Sequence, residues 1–109
     1  MQWSVLNSEE QLTAILENSF IKPQVIFKHS TRCSVSSAIK NRLEKDAAPD
    51  NIDFHYLDLL SNRSLSKKIA EDLNVHHESP QVLLIQNGEC VFDESHLVIR
   101  MQDIIAEVI

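Results

Sequence analysis

One glycine, three prolines and two cysteines in 109 residues leave this chain short of what builds several classes of protein. Two cysteines cannot frame a disulfide-stapled scaffold, which needs several bridges in a short chain. Basic residues are in the minority, ten against sixteen acidic, for a formal net charge of −6. No basic stripe of the kind that grips a phosphate backbone can be drawn, so nucleic acid is not an expected partner. No apolar run reaches the roughly 18–20 residues that cross a bilayer, so a membrane is not an expected partner either. The opening residues Met1-Gln2-Trp3-Ser4 carry neither the basic nor the apolar segment of a secretory signal, and the expected location is cytoplasmic. Internal repeats, low-complexity tracts and linkers are also missing. What is present is ordinary for a folded domain, 43% hydrophobic and 24% charged, and residues 1–109 are read as one domain.

With so few turn formers, Gly88 and Pro80 carry weight as punctuation. Ser8-Glu9-Glu10-Gln11 reads as a capping box, with Ser8 capping and Gln11 reaching back. The short helix that follows shows Leu12, Ile15 and Leu16 on one face and stops before Lys22-Pro23. Trp3 and Val5 belong to a short strand ahead of it. Residues 24–29 form a β-rich run suited to a buried central strand. After the polar Ser30-Thr31-Arg32, Cys33 opens a helix whose apolar face is expected to carry Val35, Ala38, Ile39 and Leu43, fading near Ala47-Ala48-Pro49. Residues 52–58 read as a second core strand, followed by a helix with Leu65, Ile69, Ala70 and Leu73. Residues 81–86 read as a third, joined by the hairpin turn Asn87-Gly88 to a return strand over residues 89–92. Val98, Met101, Ile104, Ile105 and Val108 mark a closing amphipathic helix. The order (β)α-β-α-β-α-β-β-α predicts an α/β fold. Its mixed central sheet has a parallel pair with a right-handed crossover, an antiparallel hairpin, and helices on both faces.

A cytosolic cysteine is either a reactive thiol or a small buried apolar residue, and its setting decides. Cys33 stands where a core strand gives way to a helix. There, unpaired N–H groups and about half a positive charge favour a sulfur anion. Arg32 adjoins it, and Lys28 and His29 are near in sequence; the expectation is a thiol pKa below the free value of about 8.5. Asp58 ends a strand and reads as a cap or turn residue, His29 as a strand-end residue, and Met101 as core. His55 and His96 carry no signal. The adjacent His76 and His77 point in different directions, and no cysteine or further acid stands at zinc-finger spacing, so no metal is expected.

These pieces, in this order, resemble the thioredoxin superfamily over nearly the whole chain. Cys33-Ser34-Val35-Ser36 follows a strand and begins a helix like the redox motif. Tyr56-Leu57-Asp58 is similar to the second core strand. Ser79-Pro80-Gln81-Val82-Leu83-Leu84-Ile85 with Asn87-Gly88-Glu89 is similar to the cis-proline strand and its hairpin. The resemblance implies a three-layer α/β/α sandwich. Within the superfamily, residues 28–36 (KHSTRCSVS) and 77–81 (HESPQ) resemble the monothiol bacilliredoxins, a small bacterial group with a Thr-Cys-Pro-Ile-Ser-like site; Arg32 and Ser34 depart from that pattern.

That resemblance implies a thiol–disulfide oxidoreductase that removes bacillithiol from protein mixed disulfides. Cys33 would be the nucleophile. Ser36 stands in the place of a resolving cysteine, either hydrogen-bonding the thiolate or serving as a first-turn serine. Arg32, Ser34, His77, Ser79 and Pro80 would contact substrate, with Pro80 cis and the Ser79 backbone open to strand-like pairing. No tightly bound cofactor is implied; a low-molecular-weight thiol, bacillithiol, would be co-substrate. The implied partners are proteins carrying mixed disulfides, the small thiol and a recycling reductase. Phe27 stands where dithiol thioredoxins place a buried acid. Cys90 lies about six strand residues beyond Pro80, on the order of 20 Å away, beyond the roughly 7 Å a disulfide tolerates, and reads as structural. Two other functions compete. One is a non-catalytic thioredoxin-like interaction domain. The other is a monothiol glutaredoxin-like iron–sulfur carrier, for which the usual Cys-Gly-Phe-Ser and Gly-Gly are missing.

Overall fold

A computed structural model describes residues 1–109. The strands are β1 (Ser4–Val5), β2 (Gln24–His29), β3 (Asp53–Asp58), β4 (Gln81–Gln86) and β5 (Glu89–Ser95). The helices are α1 (Glu9–Asn18), α2 (Ser34–Lys45), α3 (Arg63–Leu73) and α4 (Met101–Ala106), with a single 3-10 turn at His96–Val98. The sheet order is β1-β3-β2-β4-β5. The first three strands run parallel, and β4 and β5 are antiparallel.

β2 and β4 occupy the middle and are buried along their whole length, which is why they read as near-continuous apolar runs. Alternation then sorts their side chains between two cores. Val25, Phe27, Val82 and Leu84 pack with Ile39 and Leu43 of α2 and with Met101 and Ile104 of α4. Ile26, Leu83 and Ile85 pack with Leu12 and Ile15 of α1 and with Leu65, Ile69 and Leu73 of α3. The layers are therefore α2/α4, sheet, α1/α3: the expected α/β/α sandwich with a mixed sheet.

Local chemistry accounts for the element ends. The Gln11 N–H donates to Ser8 Oγ at 3.2 Å, and Gln11 Oε1 accepts from the Ser8 N–H at 3.1 Å, completing the capping box. Asn87 and Gly88 take φ 55° and 78°, the paired left-handed geometry that two-residue hairpins favour. Ser19, just past α1, accepts from the turn twice: Asn87 N–H reaches its carbonyl at 2.9 Å and Gly88 N–H its hydroxyl at 2.8 Å.

Three expectations need correction. β5 runs to Ser95 rather than ending at residue 92, accommodating a register irregularity opposite Leu84 and Ile85. The inward stripe of α2 is Ser36, Ile39 and Leu43; Val35 and Ala38 are exposed because the helix is rotated to bring Ser36 under the strand end. The closing helix has only six residues, preceded by extended, buried Ile99. Val98 and Met101 therefore share no helical face, and Val98 and Ile105 stay exposed.

A methyl group at Gly88 would sit 3.1 Å from Phe20 Cζ and force a side-chain-bearing residue to φ +78°. Gly88→Ala should destabilise the fold by about 1–2 kcal/mol, read as a lower urea midpoint at unchanged slope. Gly88 lies at the sheet end opposite Cys33, so thiol reactivity of the folded protein should stay at its wild-type level. An unaltered midpoint would contradict this account of the turn.

Candidate active site

The parallel strands β2 and β3 finish at one edge of the sheet, and antiparallel β4 begins there. Lys28 accordingly pairs with Leu57 on one side and Gln81 on the other. Three connections converge at this edge: the turn from β2 to α2, the segment after β3, and residues 76–80 ahead of β4. The Leu59 N–H donates to the His29 carbonyl at 2.8 Å, tying the first two together. In open α/β sheets such carboxyl-end edges are where ligand sites form.

Cys33 closes a tight turn, its N–H donating to Ser30 O at 3.1 Å, and occupies the N-cap of α2. It is partly exposed and free. An N-cap oxygen would accept from the first-turn amides; the sulfur makes no such bond, leaving those amide hydrogens without a side-chain partner. They are the donors at hand for negative charge developing on sulfur.

Ser36 is fully buried, and its hydroxyl is already engaged. It accepts from the Ser30 N–H at 3.0 Å and lies 2.6 Å from His29 Nδ1. Burial, reinforced by the Lys40 charge and opposed by Asp58 and Glu44, holds His29 below the usual imidazole range. His29 Nδ1 and the Ser36 hydroxyl are hydrogen-bond partners at that separation. Of the two roles open to Ser36, the thiolate hydrogen bond is not formed: this residue joins the end of β2 to the first turn of α2. The His29 ring sits between Phe27 and Tyr56, with centroids at 5.7 and 5.5 Å.

Lys28, expected to add positive charge beside Cys33, alternates to the other face of the sheet. It is fully buried, and its Nζ donates to Ser66 O at 3.2 Å and to His77 Nδ1 at 3.2 Å. Burial pushes the Lys28 ammonium down to about 8. His77 is likewise held below its usual range, first by desolvation and then by the Lys28 charge.

The remaining candidates divide by position. Arg32 and Ser34 are exposed and make no side-chain hydrogen bond or ion pair. The Ser79–Pro80 bond is cis, and the Pro80 carbonyl accepts from the His96 N–H at 2.9 Å. Ser79 Oγ is buried without a hydrogen-bond partner. Gln81 Nε2 holds the His76 carbonyl at 2.9 Å, and Glu78 contacts His96 Nε2 at 3.1 Å, so the segment leading to Pro80 is tied on both sides. Asp58 is a turn residue, accepting from Leu60 N–H and Ser61 O–H. No group of three His, Cys, Asp or Glu side chains is gathered to hold a metal ion.

Cys90 pairs with Ile85, which also faces Gln24 at the start of β2. Five residue steps of β2 separate that level from His29, roughly 16 Å of strand, against the roughly 7 Å that a disulfide spans. Its thiol donates to Phe92 O at 3.3 Å, and burial, with Asp93 nearby, pushes it up to about 11. Three features are not legible in the sequence pattern: the Lys28–His77 contact, the Ser36–His29 pair and the unpartnered Ser79 hydroxyl. The first leaves only a partial signal, since a lysine inside a strand covered on both faces must point into one core.

The family model described as monothiol bacilliredoxin BrxC matches residues 4–104. A solved structure proposed to be an oxidoreductase with a thioredoxin fold is 31% identical, with a TM-score of 0.83, covering 94% of this chain and 90% of its own. Thioredoxin from Malassezia sympodialis is 18% identical, with a TM-score of 0.75 and coverage of 96% and 86%. Thioredoxin from Trypanosoma brucei brucei is 18% identical, with a TM-score of 0.72 and coverage of 87% and 79%. At such identity these last two speak for the fold alone.

Two measurements check the site's construction. Ser36→Ala leaves the Ser30 N–H and His29 Nδ1 without their partner and should cost about 1–3 kcal/mol; a variant as stable as wild type would remove the hydroxyl's joining role. His29, His55 and His77 are all held low chiefly by burial, so the unfolded chain binds more protons in mild acid. Their contribution is complete above the unfolded value of about 6.5 and is lost as pH falls through the lower folded values. The urea midpoint should drop between pH 7 and pH 5, and a flat profile would refute the assignment.

Proposed function

The chain belongs to the monothiol bacilliredoxin family and has the thioredoxin fold of a thiol-redox protein, and from that premise we propose that Cys33 strips bacillithiol from protein mixed disulfides. The observation that carries the reading is a partly exposed sulfur at the N-cap of α2, at the Pro80 edge of the sheet, with no second thiol in reach. Ser36 fills the nearby position where a resolving cysteine would stand, and Cys90 is at the far end of the sheet.

The chemistry balances without a cofactor. The Cys33 sulfur anion attacks the small thiol's sulfur in a protein–S–S–R disulfide. A new S–S bond joins Cys33 to the small thiol, and the S–S bond between that thiol and the substrate protein's sulfur breaks. The electron pair leaves on the protein sulfur, which takes a proton from water. A second molecule of the low-molecular-weight thiol then attacks Cys33–S–S–R, releasing the small disulfide and regenerating Cys33. A separate reductase returns that disulfide to thiol.

Arg32 and Ser34, free of internal partners, flank the sulfur for substrate contact. The Ser79 backbone beside cis Pro80 supports strand-like pairing with the substrate segment, and His77 stands on the approach. No helix is long and apolar enough to cross a membrane, and the chemistry suits a reducing cytoplasm.

Release of bacillithiol from a bacillithiolated test protein, followed by mass spectrometry, separates this reading from a non-catalytic interaction domain. Cys33→Ser should abolish release, and Cys90→Ser should leave it at the wild-type rate. Continued release by the first variant would end the proposal.

A further inference from the structure

An open groove of about 740 Å3 runs along α3, between that helix and the segment returning towards Pro80. Its volume lies within the roughly 300–1,000 Å3 of small-molecule sites. α3 begins at the sheet edge that carries Cys33 and runs away from it, since Asn74 comes to lie beside Gly88 at the opposite end. The Cys33 end of the groove therefore presents Leu59, Arg63, Ser66, Lys67 and His77, and Glu71 lies farther down.

This corner is cationic in a chain whose formal charge is −6. Arg63 and Lys67 are exposed and have no acidic partner. Directly behind the wall lies Lys28, fully buried, with three ammonium hydrogens and two acceptors, Ser66 O and His77 Nδ1. Both acceptors belong to residues that line the groove. A buried cation without a counter-ion is costly unless something supplies negative charge. No carboxylate contacts Lys28 Nζ, and the groove lined by Ser66 and His77 is open to an anion.

We propose that this groove binds the carboxylate-bearing end of the low-molecular-weight thiol whose sulfur exchanges with Cys33, a subsite that rests on the function proposed above. Arg63 and Lys67 contact the carboxylates, and Lys28 supplies the fixed charge through the wall formed by Ser66 and His77. The protein then recognises the small thiol by its anionic body, independently of the protein to which it is attached.

The test compares kcat/KM for releasing bacillithiol and for releasing cysteamine, which has no carboxylate, from the same carrier protein. In Arg63→Glu/Lys67→Glu the preference for the bacillithiol adduct should fall about tenfold, the scale of two partly exposed ion pairs lost. Lys28→Met, which removes the charge and keeps an unbranched side chain one atom shorter, should move the preference in the same direction; if it fails to fold, the surface pair decides. Equal effects on both adducts, or no effect on either, would overturn the proposal. A second arm needs no turnover: malate titrated into Cys33→Ser, followed by NMR, should shift the Lys67 and His77 amides, and added salt or the Glu pair should remove the shifts. Malate shifts alongside a wild type that releases neither adduct would sink the exchange function and leave the anion site standing; release without malate shifts would sink the anion site alone.

Discussion

The presentation of Cys33 depends on one buried hydroxyl. Ser36 receives the Ser30 N–H and meets His29 Nδ1, so a single side chain joins the last strand residue, the turn and the first turn of the helix. Remove it, and a backbone donor and a ring nitrogen are left unpaired next to the core, where unsatisfied polar groups are expensive. A thiol at that position would be a poor substitute, because S–H donates and S accepts only weakly. The position that could hold a resolving cysteine is therefore occupied by the joint that holds Cys33 in place. The absence of a second sulfur at this position is part of how the site is built.

β2 supplies the second constraint. Both its faces are covered, so each residue must suit a core, and alternation gives neighbouring residues different surroundings. Phe27 and His29 face α2 and continue an aromatic row with Trp3 and Tyr56, stacked or tilted at 5.5–5.7 Å. Lys28, between them, faces α3 and meets Ser66 and His77. Where a dithiol protein keeps a buried acid behind the sulfur, this one has a phenyl ring, and its buried ionisable group is a cation on the opposite side. The internal electrostatics of the sheet edge favour anions on the α3 side.

What could be read from the sequence was whatever local chemistry decides. The Ser8 capping box, the Asn87-Gly88 turn, the Asp58 turn and the order of strands and helices all follow from residues within a few positions of one another. Even the mixed sheet follows, because a two-residue hairpin is antiparallel and a strand–helix–strand unit is parallel. What escaped was orientation. Periodicity shows that Lys28 and His29 point opposite ways but not which helix each one meets, and so Lys28 was placed beside a sulfur that lies on the other face. The same gap hid the Ser36 partner and put Val35 and Ala38 on the inward face of α2. In the closing segment the apolar pattern carries no cap and suggests one helix; buried Ile99 breaks it, and Val98 and Ile105 are left in solvent.

The two cysteines show how burial divides roles between chemically identical groups. Cys90 is largely desolvated, has the Asp93 charge nearby and is pushed up to about 11, which favours the neutral thiol. Cys33 is partly exposed above unpaired amides, where an anion has donors and a substrate has access. Lys28 belongs in the same comparison. Its burial weakens the fold at neutral pH, since no carboxylate meets it, and a methionine would fill the space at lower cost. Local rules are broken in this way where function requires it. Lys28, the one buried residue of the Lys, Arg, Asp and Glu set, stands behind the groove along α3, and in the proposed function a ligand's negative charge would be its partner.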